Sequence, residues 1–181
     1  MATFKAIEKV TGQPPNNSVS VKYFTFLLSI LTIPIRLLTF FNKGYSEVLD
    51  SNWEYMLTVD NFKIEKRLIA ATGFDDCIHF YNLSSTDKIL NETMRGKCFG
   101  NFIVKTANGI FLRQFNSPKD WPNSKLVFIS FDKYQMEIVA KSNSSWVDWT
   151  YNFIDDKQID IITEHSKDYT KVLQIRKIQV A

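Results

Sequence analysis

From about residue 65 onward, apolar and polar positions alternate with a period of two over successive short stretches, the pattern of half-buried strands. Lys105–Leu112 reads KTANGIFL, and Asn108-Gly109 between two β-type runs predicts a hairpin in which Ala107 faces Ile110, Thr106 faces Phe111 and Val104 faces Arg113. Residues 125–131 predict another strand, and 134–140 alternate with Tyr134, Met136, Ile138 and Ala140 on one face. After the polar SNSS comes a strand-like run from Trp146 to Phe153. The stretch DDKQIDIITEHSKDY breaks the period: Asp155 or Asp156 as N-cap, with Ile159, Ile162, His165 and Tyr169 at helical spacing, predicts a helix. Residues 171–180 then return as a final strand. A meander of this many strands removes its edges by closing into an up-and-down antiparallel β-barrel. The expected fold is therefore all-β, with one C-terminal helix outside the barrel and an apolar segment before it.

The first 45 residues follow a different pattern. Residues 1–20 include GQPPNNS and carry no apolar period, so they read as a flexible tail. Within 21–45, residues 21–41 are strongly apolar, but Lys22, Pro34 and Arg36 limit the uninterrupted run to Tyr23–Ile35. That is shorter than the roughly 20 residues of a comfortable span and close to a signal-peptide core. A signal anchor, a signal peptide, and a helix lying on a membrane or on its own domain all fit. Residues 46–181 are the expected folded domain, and membrane association is expected through 21–41.

Composition narrows the classes. The 22 basic and 19 acidic residues give a net charge of +3 and are scattered, so no nucleic-acid footprint exists. Fifteen Phe, seven Tyr and four Trp suit strands and a large apolar interior. Two cysteines and two distant histidines match no zinc spacing, and neither a metal nor a cofactor is expected. Acceptor patterns for N-glycosylation begin at Asn16, Asn82, Asn91 and Asn143, and together with a potential cysteine pair they point to the secretory pathway, membrane-anchored or secreted.

The order LDSNWEY, DNFKIEK, ETMRGKCF, FISFDKYQMEIVA, SWVDWTYNF, helix and last strand resembles the lipocalins, in particular the apolipoprotein D and bacterial outer-membrane lipocalin branch, over about residues 48–180. In that family a Gly-x-Trp opens the first strand, and Trp53 matches its Trp with Ser51 in place of Gly. Asp132 and Tyr134 match a second family motif loosely. At the third, where an Arg packs over the Trp, this chain has Asn152 or Phe153. The resemblance implies a barrel floor closed by Trp53 and a small hydrophobic ligand, a fatty acid, lipid or similar, carried in the barrel calyx.

A hairpin centred between Asp87 and Lys88 would set Cys77 opposite Cys98, and a disulfide between them is expected in an oxidising compartment. Continuing the alternation from Cys98 puts Phe102, Val104, Phe111, Arg113 and Phe115 on one inward face. With Met136 and Trp149 they are the candidate ligand-binding residues. Arg113 inside a barrel needs a partner: Glu137 or another carboxylate, water at the mouth, or a ligand carboxylate or phosphate. His79, near Cys77, reads as a core residue. Two other classes stay open: a membrane-tethered interaction module without a pocket, and a thiol-dependent lipid isomerase, which would need a free thiolate of depressed pKa. The leading expectation is a binding protein rather than an enzyme.

Overall fold

A computed structural model describes residues 3–12, 45–49, 51–59, 62–72, 77–155, 157–166 and 168–178. The strands are β1 (Thr3–Gly12), β2 (Tyr45–Glu47), β3 (Glu54–Val59), β4 (Phe62–Thr72), β5 (Ile78–Ser85), β6 (Cys98–Thr106), β7 (Gly109–Phe115), β8 (Ser124–Ser130), β9 (Met136–Ser142), β10 (Thr150–Asp155), β11 (Gln158–His165) and β12 (Tyr169–Ile178), with one α-helix, α1 (Lys88–Met94), among the described residues. The fold is all-β and antiparallel, in two sheets and not one closed barrel. One sheet runs β2-β4-β5-β6-β7-β8-β9, with β3 beside β2 on the free edge of β4, and the other runs β1-β12-β11-β10.

The larger sheet curls. The ring of Phe62 on β4 lies 6.0 Å from those of both Phe131 and Tyr134, at the turn between β8 and β9. The Thr93 hydroxyl of α1 donates to the Tyr134 carbonyl at 2.6 Å. The roll nevertheless stays open, because no ladder joins β9 to β2 or β3 among the described residues. Its concave side is filled by its own side chains: Ile64, Leu83, Ile110, Leu112, Val127 and Ile129, with Leu90 and Met94 of α1 wedged among them. The second sheet covers the convex side, where Ile159, Ile161, Leu173 and Ile175 meet Phe102, Val104, Phe111, Leu126 and Phe128. Strands β7 and β8 are thus buried on both faces, which is why GIFLRQF and KLVFIS read as near-continuous apolar runs.

Four expectations are corrected. The helix predicted after Asp155 is strand β11, with Ile159, Ile161 and Thr163 buried in alternation. Three isoleucines and a threonine within the five residues 159–163 are stiff at χ1 and favour a pleated surface. Asp155 takes the Lys157 N–H at 2.7 Å, using in a hairpin turn the acceptor that would have capped a helix. Second, the real helix lies where a simple turn was expected: Asp87 accepts the Leu90 N–H at 2.9 Å as N-cap, and Gly96, at φ 67°, follows its end.

Third, residues 3–12 are no tail, since β1 pairs with β12 over ten rungs from Thr3↔Ile178 to Gly12↔Tyr169. A domain boundary at 46 therefore cuts the second sheet. Fourth, the Asn-Gly hairpin forms two residues out of the expected register, with Thr106↔Gly109 and Val104↔Phe111 paired. Ala107 and Asn108 make the turn without positive φ. Gly109 is required for space: a Cβ there would lie 2.2 Å from the Ile129 carbonyl oxygen and 2.4 Å from the Phe128 ring. A slip of two leaves every side chain on its expected face.

The apolar segment 21–41 and Asn16 lie outside the described residues. Among the described residues no helix is long and apolar enough to cross a membrane.

Candidate ligand cleft between the sheets

At the end of the sandwich marked by Asn108, the two sheets part around a cavity of about 910 Å³. Its floor is a trio of rings: Phe4 from β1, Phe111 from β7 and Phe128 from β8, with centroids 4.6 to 5.2 Å apart. Ile159 and Ile175 form the wall from the second sheet, and Phe153 and Ile154 of edge strand β10 stand at the mouth. Phe153 is 54% exposed and Ile154 56%. Lys157 and Lys177 lie at the same mouth beside Asp155. Such a volume falls in the range of small-molecule sites, with eight apolar residues in the lining and Lys105, Thr106, Asn108, Asp155, Lys157 and Lys177 as its polar groups.

A smaller cavity of about 290 Å³ adjoins it, sharing Asn108, Phe128 and Lys177, and is lined further on by Glu137 and Met136. Burial raises the Glu137 carboxyl pKa, and its Oε1 is buried without a hydrogen-bond partner. Met136 does not join the aromatic floor. A register shift between Leu126 and Val127, each paired to β9, turns Met136 toward the concave core.

Phe102, Val104, Phe111, Arg113 and Phe115 do share one face, as the alternation requires, and Trp149 packs with Phe102 at 5.5 Å between centroids. That face is the convex outside of the roll. Only Phe111 among them lines the large cavity; Phe102, Val104 and Trp149 are packed in the core between the sheets.

Arg113, 2% exposed, sits on that face with three neutral acceptors. Nη2 donates to the Ser144 carbonyl and Nη1 to that of Trp146, both at 2.6 Å, and Nε donates to the Ser124 hydroxyl at 3.0 Å. Its guanidinium carbon lies 4.3 Å from the Trp149 ring centroid and 5.1 Å from that of Phe115, in cation–π range. Burial without a carboxylate partner lowers its pKa to about 10. Arg113 holds residues 143–149, the passage from one sheet to the other. Ser144 completes the clasp by donating from Oγ to the Thr163 carbonyl of β11 at 2.6 Å.

The remaining expected site residues are dispersed. Trp53 closes no barrel floor: it is 42% exposed, before β3, with the Arg67 guanidinium 5.0 Å from its ring centroid. Cys77 and Cys98 are not opposed, because α1 separates their strands and the β5–β6 register is Tyr81↔Phe99. Both are free thiols, Cys77 exposed and Cys98 buried. Burial, then the charge of Asp120, push the Cys98 thiol up to about 12, the reverse of what a nucleophile needs. His79 stacks edge-on against Tyr81 at 6.3 Å. Asn143 is exposed and Asn82 half-buried in β5. Half-buried Asn91 uses its side-chain oxygen to accept from Ser84 and Ser85, tying α1 to β5.

Phe4, Phe128, Phe153 and Ile154 were missed as lining residues. For Phe128 the apolar run of β8 carried a signal; for Phe4 the only signal was a faint alternation in a stretch read as tail. No family model, curated protein or solved structure matches the chain.

Proposed function

We propose that this protein binds an elongated apolar molecule, of the fatty-acid or lipid type, in the cleft between its two sheets. This reading keeps the ligand class that the lipocalin resemblance implies and moves the site from a calyx to the sandwich. The observation that supports it is the cavity of about 910 Å³ floored by Phe4, Phe111 and Phe128. Each methylene taken from water contributes roughly 0.8 kcal/mol, so a dozen carbons gain about 9 kcal/mol gross, and several kcal/mol are lost on immobilisation. The net of about 4 to 6 kcal/mol corresponds to dissociation constants from some tens of micromolar to about a millimolar.

A carboxylate head fits the mouth beside Lys157 and Lys177, both exposed. Exposed ion pairs contribute under about 1 kcal/mol, so an acid outbinds its methyl ester by less than about fivefold. Titration calorimetry with a series of saturated fatty acids tests the reading. Affinity rises with chain length, and Phe153→Ala, at the exposed mouth, weakens it without unfolding the protein. No binding of any acyl chain rejects the carrier. It would favour an interaction module instead, whose supporting feature is β10, an edge strand with all six residues exposed.

A further inference from the structure

The opposite end of the strands carries a second, chemically different depression, of about 430 Å³. Three neighbouring strands present polar groups there in one row: Gln114 of β7 pairs with Lys125 of β8, which pairs in turn with Lys141 of β9. Asn116, Asn123 and Asn143 from the adjoining loops complete the ring, and none of the lining residues is acidic.

Two lysines directly opposite on adjacent antiparallel strands repel, a pairing that costs stability unless a negative group sits between them. Among the described residues neither Lys125 nor Lys141 forms an ion pair. Lys125 donates instead to the neutral Asn116 side-chain oxygen at 2.7 Å. Of the acids nearest along the chain, Asp120 takes the Ser117 hydroxyl at 3.2 Å and Glu137 lines the smaller cavity at the other end of the strands. Ser124, which also lines the depression, accepts from Nε of Arg113, which faces the opposite side of β7 from Gln114 and does not line the depression itself. Two cations thus share the depression with no carboxylate in its lining.

From this arrangement we infer that the depression is a binding site for a small, hydroxylated anion, such as a sugar phosphate or sugar acid. The lysines supply charge and hydrogen-bond donors to the phosphate or carboxylate. The side-chain amides of Gln114, Asn116, Asn123 and Asn143 each offer both a donor and an acceptor, the pairing that hydroxyl groups require. The absence of any aromatic ring in the lining argues against an apolar ligand here. This site is separate from the cleft at the other end and does not depend on it.

Calorimetric titration of the full chain with glucose 6-phosphate, inorganic phosphate and glucose tests the inference. Glucose 6-phosphate binds at least about tenfold more tightly than inorganic phosphate, a difference of about 1.4 kcal/mol, and glucose binds more weakly than either. Lys125→Gln and Lys141→Gln each weaken glucose 6-phosphate binding by about tenfold or more and leave the melting temperature equal or higher, since each removes the repulsion. Lys141→Glu raises the melting temperature and abolishes binding. The inference is overturned if neither anion binds at about 10 mM, a concentration that would reveal even millimolar affinity. It is equally overturned if the lysine variants bind as the parent does. Inorganic phosphate binding as tightly as the sugar phosphate would overturn the hydroxylated ligand, and glucose binding as tightly would overturn the anion.

Discussion

Arg113 and Trp149 are stacked, guanidinium carbon 4.3 Å from the ring centroid, at the point where the chain leaves one sheet for the other. The cation is held by two carbonyls and a hydroxyl, with no carboxylate among its hydrogen-bond partners. Its importance therefore lies in the crossover it organises. Arg113→Leu leaves the carbonyls of Ser144 and Trp146 without their donor and is expected to cost about 3 kcal/mol or more. Arg113→Lys keeps the charge but loses the planar fork and the stack, at a cost of about 2 kcal/mol. Urea unfolding measures both, and hydrogen exchange in residues 143–149 rises in each variant.

The raised pKa of Glu137 makes a pH-dependent prediction. Its folded carboxyl holds a proton to higher pH than the unfolded one, whose pKa is about 4.3. The associated stability is fully present below about pH 4 and is lost as pH rises through the folded pKa. Glu137→Gln is therefore expected to stabilise the protein at pH 7 and to change little below about pH 4. Thermal melts of parent and variant at the two pH values decide it; an equal gain at both would mean that burial of the charge is not the cause.

The two thiols are expected to differ sharply in reactivity. Cys77 is exposed, whereas Cys98 is buried with its thiol pushed up to about 12. A chromogenic disulfide reagent at pH 8 should modify one thiol rapidly in the native protein and the second only on unfolding. Peptide mapping should place the fast label on Cys77.

A chain that starts at residue 46 should fail to fold cooperatively. It lacks β1, hence ten rungs against β12 and the Phe4 ring that packs on Phe111 and Phe128. Phe4→Ala in the full chain is expected to cost about 2 kcal/mol, roughly half the penalty of truncating a fully buried ring. Circular dichroism melts of the truncation and the point variant test both; a sharp, parent-like transition for the truncation would show that β1 contributes little.

Much of the β-structure was legible along the chain. Period-two alternation located β7, β8, β9 and β12 within a few residues, and parity alone grouped Phe102, Val104, Phe111, Arg113 and Phe115, because a register slip of two preserves faces. The pattern could not say which side of the sheet is inside. Face assignment depends on where the sheet curls, and contacts such as Phe62 with Tyr134 join residues 72 positions apart. The candidate cleft accordingly lies between two sheets and not in a calyx. The β11 segment misled because three isoleucines fit a 3.6-residue face as well as a strand, and only pairing with β12 decides between them. For Arg113 the sequence determined that a buried cation needs partners; tertiary structure alone supplied carbonyls from a segment 31 to 33 residues away. Local periodicity thus sets which residues share a face, while the long-range ladders β1–β12 and β11–β12 and the curl of the larger sheet determine what each face meets.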